Sequence, residues 1–431
     1  MPAGTITTRC AIAGGGPAGM MLGFLLARAG VDVLVLEKHA DFLRDFRGDT
    51  IHPSTLEIMH ELGLLDAFLK LPHSKVREIG GIVGDEQIVF ADFTHLPTRC
   101  GFIAFIPQWN FLDFLADQGR RYPGFKLEMQ AEVEDLLFDG DRVVGLKAKR
   151  PRGALDVHAD LVVGADGRYS AVRRLAGLES EDFGAPMDVL WLRLSKRPGD
   201  GAETLGRIKA GRLFVMLDRG EYWQCAFVIP KGGFAGLRCK GLEAFRNDLV
   251  TLNPKLADRV SEIASWDDVK LLTVRVDRLK RWYGPGVLCI GDAAHAMSPV
   301  AGVGINLAVQ DAVAAANVLA EPLREGPVSE ELLAKVQKRR EWPTKMTQWV
   351  QLLVQKRIIS NVLAMTAQPR PPFAARMLNR FPWLRRIPAR LIGRGFRPEH
   401  VHTPEIAPRD AAAISPPPLR GRSTPKASGG G

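Results

Sequence analysis

The feature that most constrains this chain is the stretch CAIAGGGPAGMMLGFLLARAGVDVLVLEK near its N-terminus. An apolar strand leads into a glycine turn, and a helix is predicted from about Pro17 to Ala29, where Gly30 ends it. The strand VDVLVLE follows directly. This alternation of patterns predicts a βαβ unit, so the expected fold class is α/β.

The glycine turn has the spacing G-x-G-x-x-G at Gly14, Gly16 and Gly19, and Glu37 ends the second strand. In such a unit the first glycine permits a tight turn, the second lets the backbone approach a pyrophosphate, and the third allows close helix packing. A carboxylate at Glu37 can accept hydrogen bonds from a ribose, and the helix N-terminus favours phosphates. The unit predicts a bound dinucleotide and leaves NAD and FAD open; the alternative is a glycine turn without a ligand.

Two later stretches carry further motifs. DLVVGADGRYSAVRRLAG contains Asp166-Gly167, followed by Ser170, Val172 and Arg173. VLCIGDAAHAMSPVAGVGINLAVQDA contains Gly291-Asp292, followed by Pro299, Gly302, Gly304 and Asn306. Together with the N-terminal unit, they resemble the three fingerprints of the group A flavoprotein monooxygenases, the para-hydroxybenzoate hydroxylase-like FAD family. The resemblance extends from residue 9 to about residue 325.

This resemblance implies a Rossmann-like FAD-binding domain with an inserted antiparallel-sheet substrate domain, to which the chain adds a C-terminal helical region. Arg47 matches a family arginine near the flavin, with Arg44 as a weaker alternate, and Gln108 matches a family glutamine. Each of these is alternatively a solvated loop residue. The predicted cofactor contacts are Gly14, Gly16, Pro17, Ala18, Gly19, Glu37, Lys38, Arg47, Gln108, Asp166, Gly291, Asp292, Pro299, Gly302, Gly304, Ile305 and Asn306.

Elementary chemistry agrees with this assignment of the stretch after Gly291. Asp292 ends a strand where a carboxylate can hold ribityl or ribose hydroxyls, and Pro299 offers a rigid apolar wall beside a flavin ring. Gly302 and Gly304 let the main chain approach that ring. The helix that begins near Asn306 directs its free N–H groups at the flavin edge that becomes anionic on reduction.

The family resemblance also implies a reaction. NAD(P)H binds transiently without a motif of its own and reduces FAD, O2 adds to form a flavin C4a-hydroperoxide, and one oxygen passes to an electron-rich aromatic ring. The expected substrate is phenol-, quinone- or polyketide-like. A dehydrogenase or prenyl reductase on the same scaffold is the main alternative, and an FAD-stabilised adaptor is a third. A disulfide reductase is disfavoured because a second G-x-G-x-x-G and a cysteine pair are absent.

The residue that activates the substrate is not identified by the sequence. Candidates for lining the flavin or substrate are Arg47, Pro299 and Tyr222, and three further residues on predicted strands are Trp191, Arg193 and Gln224. Each strand residue taken singly has a core or outward-facing alternative. His295 is expected to cap or pack rather than to catalyse. Because no lone carboxylate or histidine has the context of a general base, the pocket is expected to be largely apolar.

The predicted domains are discontinuous. Residues 1–75, 98–184 and 277–328 are assigned to the FAD-binding domain, and residues 76–97 and 185–276 to the substrate-binding sheet domain. Residues 329–401 are predicted to be a basic helical region. Residues 402–431 are rich in Pro, Ser, Gly and Ala and are predicted to be a disordered tail.

Composition limits the setting in which the chain works. Its five cysteines are scattered and form no CxxC pair, which indicates a reducing compartment and argues against both a zinc site and a redox-active disulfide. No metal site is predicted. Charged residues interrupt every apolar run long enough to span a bilayer, and the N-terminal stretch suits a strand, turn and helix better than an export signal. The expected location is cytoplasmic.

The net charge of +10 is concentrated in the C-terminal quarter. From Lys335 onward there are 19 Lys and Arg against 4 Asp and Glu, a net of +15, so residues 1–334 carry −5. RMLNRFPWLRRIPARLIGRGFR interleaves arginines with apolar residues. Its apolar side either packs on the body, the slightly favoured interpretation, or lies on the inner face of an anionic membrane. No nucleic-acid fold signature accompanies the arginines, and the sequence indicates no oligomeric state.

Overall fold

The computed structural model describes residues 4–43, 50–201 and 205–408. Its strands, in chain order, are β1 (Gly4–Ala13), β2 (Val33–Glu37), β3 (Thr50–Ile51), β4 (Ser74–Val76), β5 (Glu78–Val83), β6 (Glu86–Asp92), β7 (Ile103–Phe105), β8 (Phe125–Met129), β9 (Glu132–Asp139), β10 (Arg142–Arg150), β11 (Gly153–Gly164), β12 (Ser180–Asp182), β13 (Met187–Ser195), β14 (Leu205–Lys209), β15 (Arg212–Asp218), β16 (Tyr222–Pro230), β17 (Lys270–Leu272), β18 (Asp277–Leu279), β19 (Tyr283–Gly284) and β20 (Val287–Cys289).

The α-helices are α1 (Pro17–Arg28), α2 (Pro53–Glu61), α3 (Leu65–Phe68), α4 (Gln108–Gly119), α5 (Ala171–Leu175), α6 (Phe234–Cys239), α7 (Leu242–Leu252), α8 (Gly304–Glu325), α9 (Glu330–Val354), α10 (Ser360–Ala364), α11 (Phe373–Arg380) and α12 (Arg386–Gly393). Short 3₁₀ turns occupy Pro254–Leu256, Val260–Glu262, Trp266–Asp268, Gly291–Ala293, Val300–Gly302 and Pro382–Arg385, and a π-turn occupies Gln355–Ile359.

The first large sheet has the strand order β19-β20-β11-β1-β2-β8, with β10 pairing both β11 and β9. Strands β20, β11, β1, β2 and β8 run parallel. All of β2 and the second half of β1 are buried apolar runs, as parallel strands covered on both faces require. Helix α1 packs on α4 and α8, so the predicted βαβ unit is confirmed as the centre of this sheet.

The second large sheet has the order β17-β13-β16-β15-β14-β5-β6 and is antiparallel except where β14 meets β5. One face is covered by α7 and holds a buried apolar cluster that includes Leu192, Phe227 and Phe245. The opposite face meets Val300 and the C-terminal helices. The predicted fold class is therefore confirmed; the exact domain boundaries stay predictions.

Helix α8 is the core helix of the molecule. Together with the turn before it, Val300–Glu325 is long and apolar enough to cross a membrane, but 78% of the apolar window is buried inside the protein. Its one buried carboxylate, Asp311, pairs with His295 and Arg340. Burial by its neighbours explains why this helix is apolar on nearly every side.

The C-terminal region wraps around both sheets. Helix α9 packs on α8, and helices α11 and α12 pack on β6. Ala389 and Ile392 join Phe93 and Leu96 in one apolar cluster. The predicted packing of this region on the body thus applies to its small residues, while a second set of apolar side chains points to solvent: Phe373, Phe381, Trp383, Ile387 and Leu391.

Part of the predicted disordered tail is packed on the body. The Ile406 N–H donates to the Arg28 carbonyl, the Arg28 guanidinium donates to the Thr403 carbonyl at 3.1 Å, and the Tyr122 hydroxyl donates to Glu405 at 2.6 Å. The Pro- and Ala-rich composition did not indicate these contacts, because they use main-chain groups, the Glu405 carboxylate and a single apolar residue, Ile406, that packs on the main core, and not a periodic apolar pattern. Residues 409–431 lie outside the described residues.

Candidate cofactor and substrate site

The three sequence motifs meet at one edge of the parallel sheet. Gly14 follows β1, Asp166 follows β11, and Asp292 follows β20, while Glu37 ends β2. These four strands are neighbours in the order β20-β11-β1-β2, so their carboxyl ends form a single rim. Ligands of open α/β sheets bind at such a rim.

The three glycines of the first motif have different surroundings. Gly14 has φ +105, and a Cβ there would lie 2.4 Å from the Ala165 carbonyl oxygen. A Cβ on Gly19 would lie 2.0 Å from the Gly14 carbonyl oxygen. A Cβ on Gly16, the residue before α1, would meet no protein atom within 4 Å. The protein itself requires Gly14 and Gly19, whereas Gly16 faces open space at a helix N-terminus, as a pyrophosphate site requires.

Glu37 lies directly against the glycine turn. Its buried carboxylate accepts the Gly15 N–H and the His39 N–H, each at 3.0 Å. These bonds fix the carboxylate at the edge where a sugar would lie. Pro17 is the first residue of α1, and the neighbouring Lys38 is exposed.

Asp166 caps its own loop with one oxygen and leaves the other without a partner. Oδ2 accepts the N–H groups of Ala171 at 2.7 Å and Val172 at 3.2 Å. Oδ1 is buried and has no hydrogen-bond partner among the described residues. Burial raises the pKa of Asp166, although the bonds from Ser170 and the two N–H groups act in the opposite direction. The free oxygen fits a ligand hydroxyl.

The Gly291-Asp292 motif lies close to residues of both other motifs. Gly291 has φ +58, and a Cβ there would lie 3.0 Å from the Cβ of Ala18. The half-buried Asp292 carboxylate lies 3.6 Å from the Arg168 guanidinium, which belongs to the second motif. Two of its neighbours are thus motif residues, and its remaining surface faces outward.

The loop after His295 carries backbone strain. Pro299 precedes the 3₁₀ turn Val300–Gly302, in which Ala301 has φ +63 and is a non-glycine residue in the left-handed region. A Cβ on Gly302 would lie 2.4 Å from Thr50 Oγ1, whose hydroxyl donates to the Gly302 carbonyl at 2.8 Å. Strain of this kind is retained mainly where function requires a particular backbone path.

Helix α8 begins at Gly304, so Ile305 and Asn306 lie in its first turn. The Asn306 side chain is committed to the protein. Its Oδ1 accepts the His52 N–H at 2.9 Å and the Thr55 hydroxyl at 2.7 Å, and its Nδ2 donates to the Thr50 carbonyl at 3.2 Å. Any contact of this turn with a cofactor therefore uses main-chain N–H groups, which the start of a helix leaves free.

His295 belongs to a buried ion network. Its Nε2 lies 2.5 Å from Asp311 Oδ2, and Arg340 Nε donates to Asp311 Oδ1 at 2.9 Å. Gly291 N–H donates to the same carboxylate, and Arg340 also lies 3.6 Å from Glu399. Burial alone would raise the pKa of Asp311, but His295 and Arg340 outweigh it and hold the pKa below its ordinary value. The geometry agrees with the expected packing role of His295.

The substrate candidates share one sheet face. Trp191 and Arg193 on β13, and Tyr222 and Gln224 on β16, lie on the face opposite α7. The Arg193 guanidinium is 3.8 Å from the Tyr222 ring centre, and the Gln224 side chain accepts a hydrogen bond from Arg219 at 2.9 Å. Gln108 is the first residue of α4. Arg44 and Arg47 lie outside the described residues.

Two glutamines of α9 hold the strained loop, and sequence reasoning missed both. Gln351 Nε2 donates to the carbonyls of Ser298 and Val300, both at 3.0 Å. Gln348 Nε2 donates to the Ala296 carbonyl at 3.2 Å and to the Asp277 carbonyl at 2.8 Å. In the sequence, Gln348 and Gln351 are visible only as two amide residues at helical spacing in a charged helix. That spacing does not indicate which residues the two amides contact.

The comparisons with known proteins identify the family. The family model described as an FAD binding domain matches residues 7–350, so the chain belongs to this family of FAD-binding proteins. Within it, the chain is a group A flavoprotein monooxygenase, an FAD-dependent oxidoreductase, as the resemblance predicted. The glycine turn, the unpaired Asp166 oxygen and the carboxylates of Glu37 and Asp292 at the same rim fit FAD as its cofactor.

Three relatives illustrate the similarity. The 6-methylpretetramide 4-monooxygenase of Streptomyces rimosus is 32% identical over 395 residues, which cover 90% of this chain and 93% of that protein. Digeranylgeranylglycerophospholipid reductase 1 of Methanopyrus kandleri is 26% identical over 76% of this chain and 84% of that protein. The crystal structure of pqsL, a probable FAD-dependent monooxygenase from Pseudomonas aeruginosa, has a TM-score of 0.70 at 22% identity, over 83% of this chain and 98% of that one. Other curated relatives are longer, and the chain spans 57% to 65% of their length.

Replacing Asp292 with alanine is expected to weaken FAD binding about tenfold to a hundredfold, because a charged hydrogen bond contributes about 1.5–3 kcal/mol. Asp292→Asn keeps an acceptor and should have an intermediate effect. The measurement is flavin absorbance per protein after gel filtration, with Asp141→Ala on an exposed hairpin as the control. Undiminished flavin content in the alanine variant would show that this carboxylate does not hold the cofactor.

Proposed function

We propose that the chain is an aromatic hydroxylase that consumes NAD(P)H and O2 and inserts one oxygen into a polycyclic phenol of the polyketide class. The observation that carries this proposal is the 32% identity to 6-methylpretetramide 4-monooxygenase over 90% of the chain. The sheet face opposite α7 supports it, because the face is mainly apolar where it meets the Val300 loop.

Bound FAD supplies the redox chemistry, accepting hydride from NAD(P)H and activating O2. The residues of the chain hold and orient it. The turn at Gly16 and the α1 N-terminus would hold the pyrophosphate, and Glu37 and Asp292 the sugar hydroxyls. The N–H groups at the start of α8 would favour negative charge on the flavin ring beside Pro299, which stabilises the reduced state.

The residues on the sheet face opposite α7 limit which substrates can react. On this side of the sheet, strands β13, β15 and β16 present no carboxylate and no histidine within the part of the chain that the structure describes. A general base for the substrate is therefore not supplied from these strands. An electron-rich ring that already bears hydroxyl groups needs the least activation, which favours a phenol over an unsubstituted arene.

A single experiment separates the candidate functions. The FAD-loaded protein is incubated with NADH or NADPH, labelled O2 and a set of phenols, quinones and polycyclic ketophenols, and products are analysed by mass. Gain of one labelled oxygen supports hydroxylation. Gain of two hydrogens without oxygen supports a reductase, the function named for the Methanopyrus relative. Flavin that NAD(P)H fails to reduce with each of these ligands would contradict NAD(P)H as the reductant.

We also propose that the C-terminal region binds an anionic lipid surface through an exposed face, here named the arginine-rich face. Between residues 342 and 398 there are 11 Lys and Arg and no Asp or Glu. Exposed apolar side chains stand among these charges, with Trp383 61% and Ile387 58% exposed. The face consists of Phe373, Arg376, Arg380, Phe381, Trp383, Arg386, Ile387, Arg390 and Leu391.

The positive charge and the exposed apolar area of the arginine-rich face both favour an anionic lipid surface as its partner. Each arginine near an anionic membrane contributes about 1 kcal/mol of attraction, and exposed Trp and Ile add apolar area that enters the interface. The small residues beneath, such as Ala375 and Ala389, already anchor the two helices on the body. Residues 1–334 carry a net charge of −5, so an anionic surface would repel the rest of the molecule and orient this face toward it.

Wild-type protein is expected to sediment with vesicles of phosphatidylcholine containing phosphatidylglycerol, less with phosphatidylcholine alone, and less at high salt. Replacing Trp383 and Ile387 with serine should weaken binding about tenfold or more, because the inserted apolar area is lost. The matched control replaces Phe138 and Leu271, which are 51% and 42% exposed on the body, with serine. Absence of wild-type binding at low salt, or equal loss in both variants, contradicts the lipid surface.

A further inference from the structure

A π-turn interrupts the C-terminal helix where it passes the candidate site. Helix α9 ends at Val354, the π-turn occupies Gln355–Ile359, and α10 continues from Ser360. The Ser360 hydroxyl donates to the Gln355 carbonyl at 3.1 Å and so satisfies one main-chain group of the turn. Single π-turns inside α-helices are rare and are found frequently at functional sites.

Gln355 is fully buried and its amide is unsatisfied. The residue is 0% exposed, and neither Nε2 nor Oε1 has a hydrogen-bond partner anywhere in residues 4–43, 50–201 and 205–408. Leaving a buried polar group unpaired costs about 1–3 kcal/mol. Gln348 and Gln351 are also buried, yet both are paired with main-chain groups. The unpaired amide is therefore specific to position 355 rather than general along the helix.

The position of Gln355 follows from its neighbours on the same helical face. One turn earlier, Gln351 bonds to Ser298 and Val300 in the strained loop. One turn later, Ile359 packs in the apolar cluster of the substrate sheet with Val189 and Ala226. Gln355 therefore lies between the loop that borders the flavin and the sheet face that carries the substrate candidates.

A second unpaired donor lies in the same cluster. Trp191 packs with this group of apolar residues, as do Val300 and Val354. Its indole N–H is buried and has no partner in the described chain. The apolar side chains around these two groups offer them no hydrogen bond, so a ligand that bonds to both would satisfy polar groups that proteins nearly always pair.

We propose that Gln355, with the indole N–H of Trp191, is the polar anchor that binds and orients the substrate; this inference rests on the proposed hydroxylase function. The amide offers a donor nitrogen and an acceptor oxygen, and the indole offers a second donor group. The complementary ligand is an aromatic ring system that carries a hydroxyl and a carbonyl group too far apart to hydrogen-bond to each other. Such a ketophenol satisfies all three groups, whereas an unsubstituted hydrocarbon leaves them unpaired.

If Gln355 is the anchor, Gln355→Leu should leave the stability of the ligand-free protein unchanged or higher and should lower its affinity for the ligand. Leucine has a similar volume and removes the unpaired amide, so the ligand-free protein should have an unchanged or higher Tm. Binding of a ketophenol should weaken about tenfold, because the ligand loses its partner. A purely structural glutamine would behave in the reverse manner, with a lower Tm and unchanged ligand affinity.

The experiment titrates FAD-loaded protein with 6-acetyl-2-naphthol and with 2-ethylnaphthalene by calorimetry, without NAD(P)H, so that turnover is not needed. Wild type is expected to prefer the ketophenol about tenfold or more, and Gln355→Leu should remove most of this preference while leaving flavin content intact. Trp191→Phe should remove a smaller part. Gln368→Leu, which alters an exposed amide on the same region, is the matched control.

The outcomes separate this inference from the function on which it rests. If wild type and Gln355→Leu prefer the ketophenol equally, the anchor is refuted and the hydroxylase proposal stands. A lower ligand-free Tm with unchanged preference also refutes it, because the amide is then structural. If wild type binds neither probe, the proposed aromatic substrate falls and the anchor falls with it.

Discussion

Replacing Gly16 with valine is expected to abolish FAD retention while leaving the apoprotein about as stable as the wild type. Gly16 has φ −76 and ψ −177, a conformation open to any residue, and no protein atom lies within 4 Å of a Cβ built there. The new side chain would occupy the space at the α1 N-terminus through which the backbone approaches the pyrophosphate. We expect FAD affinity to fall more than about a hundredfold, since several phosphate hydrogen bonds are lost together.

The measurement is bound flavin per protein after gel filtration, together with the Tm of the apoprotein. Gly236→Val is the matched control, because Gly236 also has open space around its Cβ but lies on α6. Gly14→Ala should differ from both. It combines a positive φ with a collision against Ala165, so stability and FAD binding are both expected to fall. A Gly16→Val protein that keeps its flavin would show that the cofactor lies elsewhere.

Replacing Asp311 with alanine is expected to cost about 3–5 kcal/mol of unfolding free energy, because it breaks a buried ion pair and leaves Arg340 with only Glu399, 3.6 Å away, as a charged partner. The same change removes the acceptor of His295 and of the Gly291 N–H, so FAD content should fall as well. Asp160→Ala, which breaks a partly exposed pair with Arg9, should cost less than about 1 kcal/mol. Equal losses in the two variants would contradict the importance of the buried network.

The Asp311 effect should depend on pH in a defined direction. The folded protein holds the pKa of Asp311 below its ordinary value of 3.8. Its contribution is therefore complete above that value and is lost as pH falls through the folded pKa. The stability difference between wild type and Asp311→Ala, measured by denaturant titration, should be constant near neutral pH and shrink below about pH 4. A difference that grows on acidification would contradict the depressed pKa.

The local patterns predicted the fold and the framework of the site because both depend on contacts that recur in every βαβ unit. The glycine spacing and the strand end indicated Gly14 and Glu37, the family resemblance added Asp166 and Asp292, and the structure brings all four to one rim. What the residue types did not reveal is the direction of individual side chains. Asn306 has the right position for the cofactor, but its amide is fully used by the segment Thr50 to Thr55.

The contacts that sequence patterns missed join segments far apart in the chain. Gln351 reaches Ser298 across 53 residues, and Gln348 reaches the Asp277 carbonyl across 71. Local periodicity carries no information on such pairs, because it reports only which side of a helix is buried. The same limit applies to Gln355. Its proposed role follows from the lack of a hydrogen-bond partner for its amide among the described residues, which its neighbours in sequence do not indicate.

Residues beyond the region matched by the family model make contacts that hold the candidate site. The match to the family ends at residue 350, one residue before Gln351 and well before Glu399, whose carboxylate pairs with Arg339 and Arg340. A chain ended there would retain every motif glycine and carboxylate. It would lack the amide that holds Ser298 and Val300, the Gln355 side chain and one arm of the buried ion network. The part of the chain that holds the candidate site therefore extends beyond the part that the family model matches.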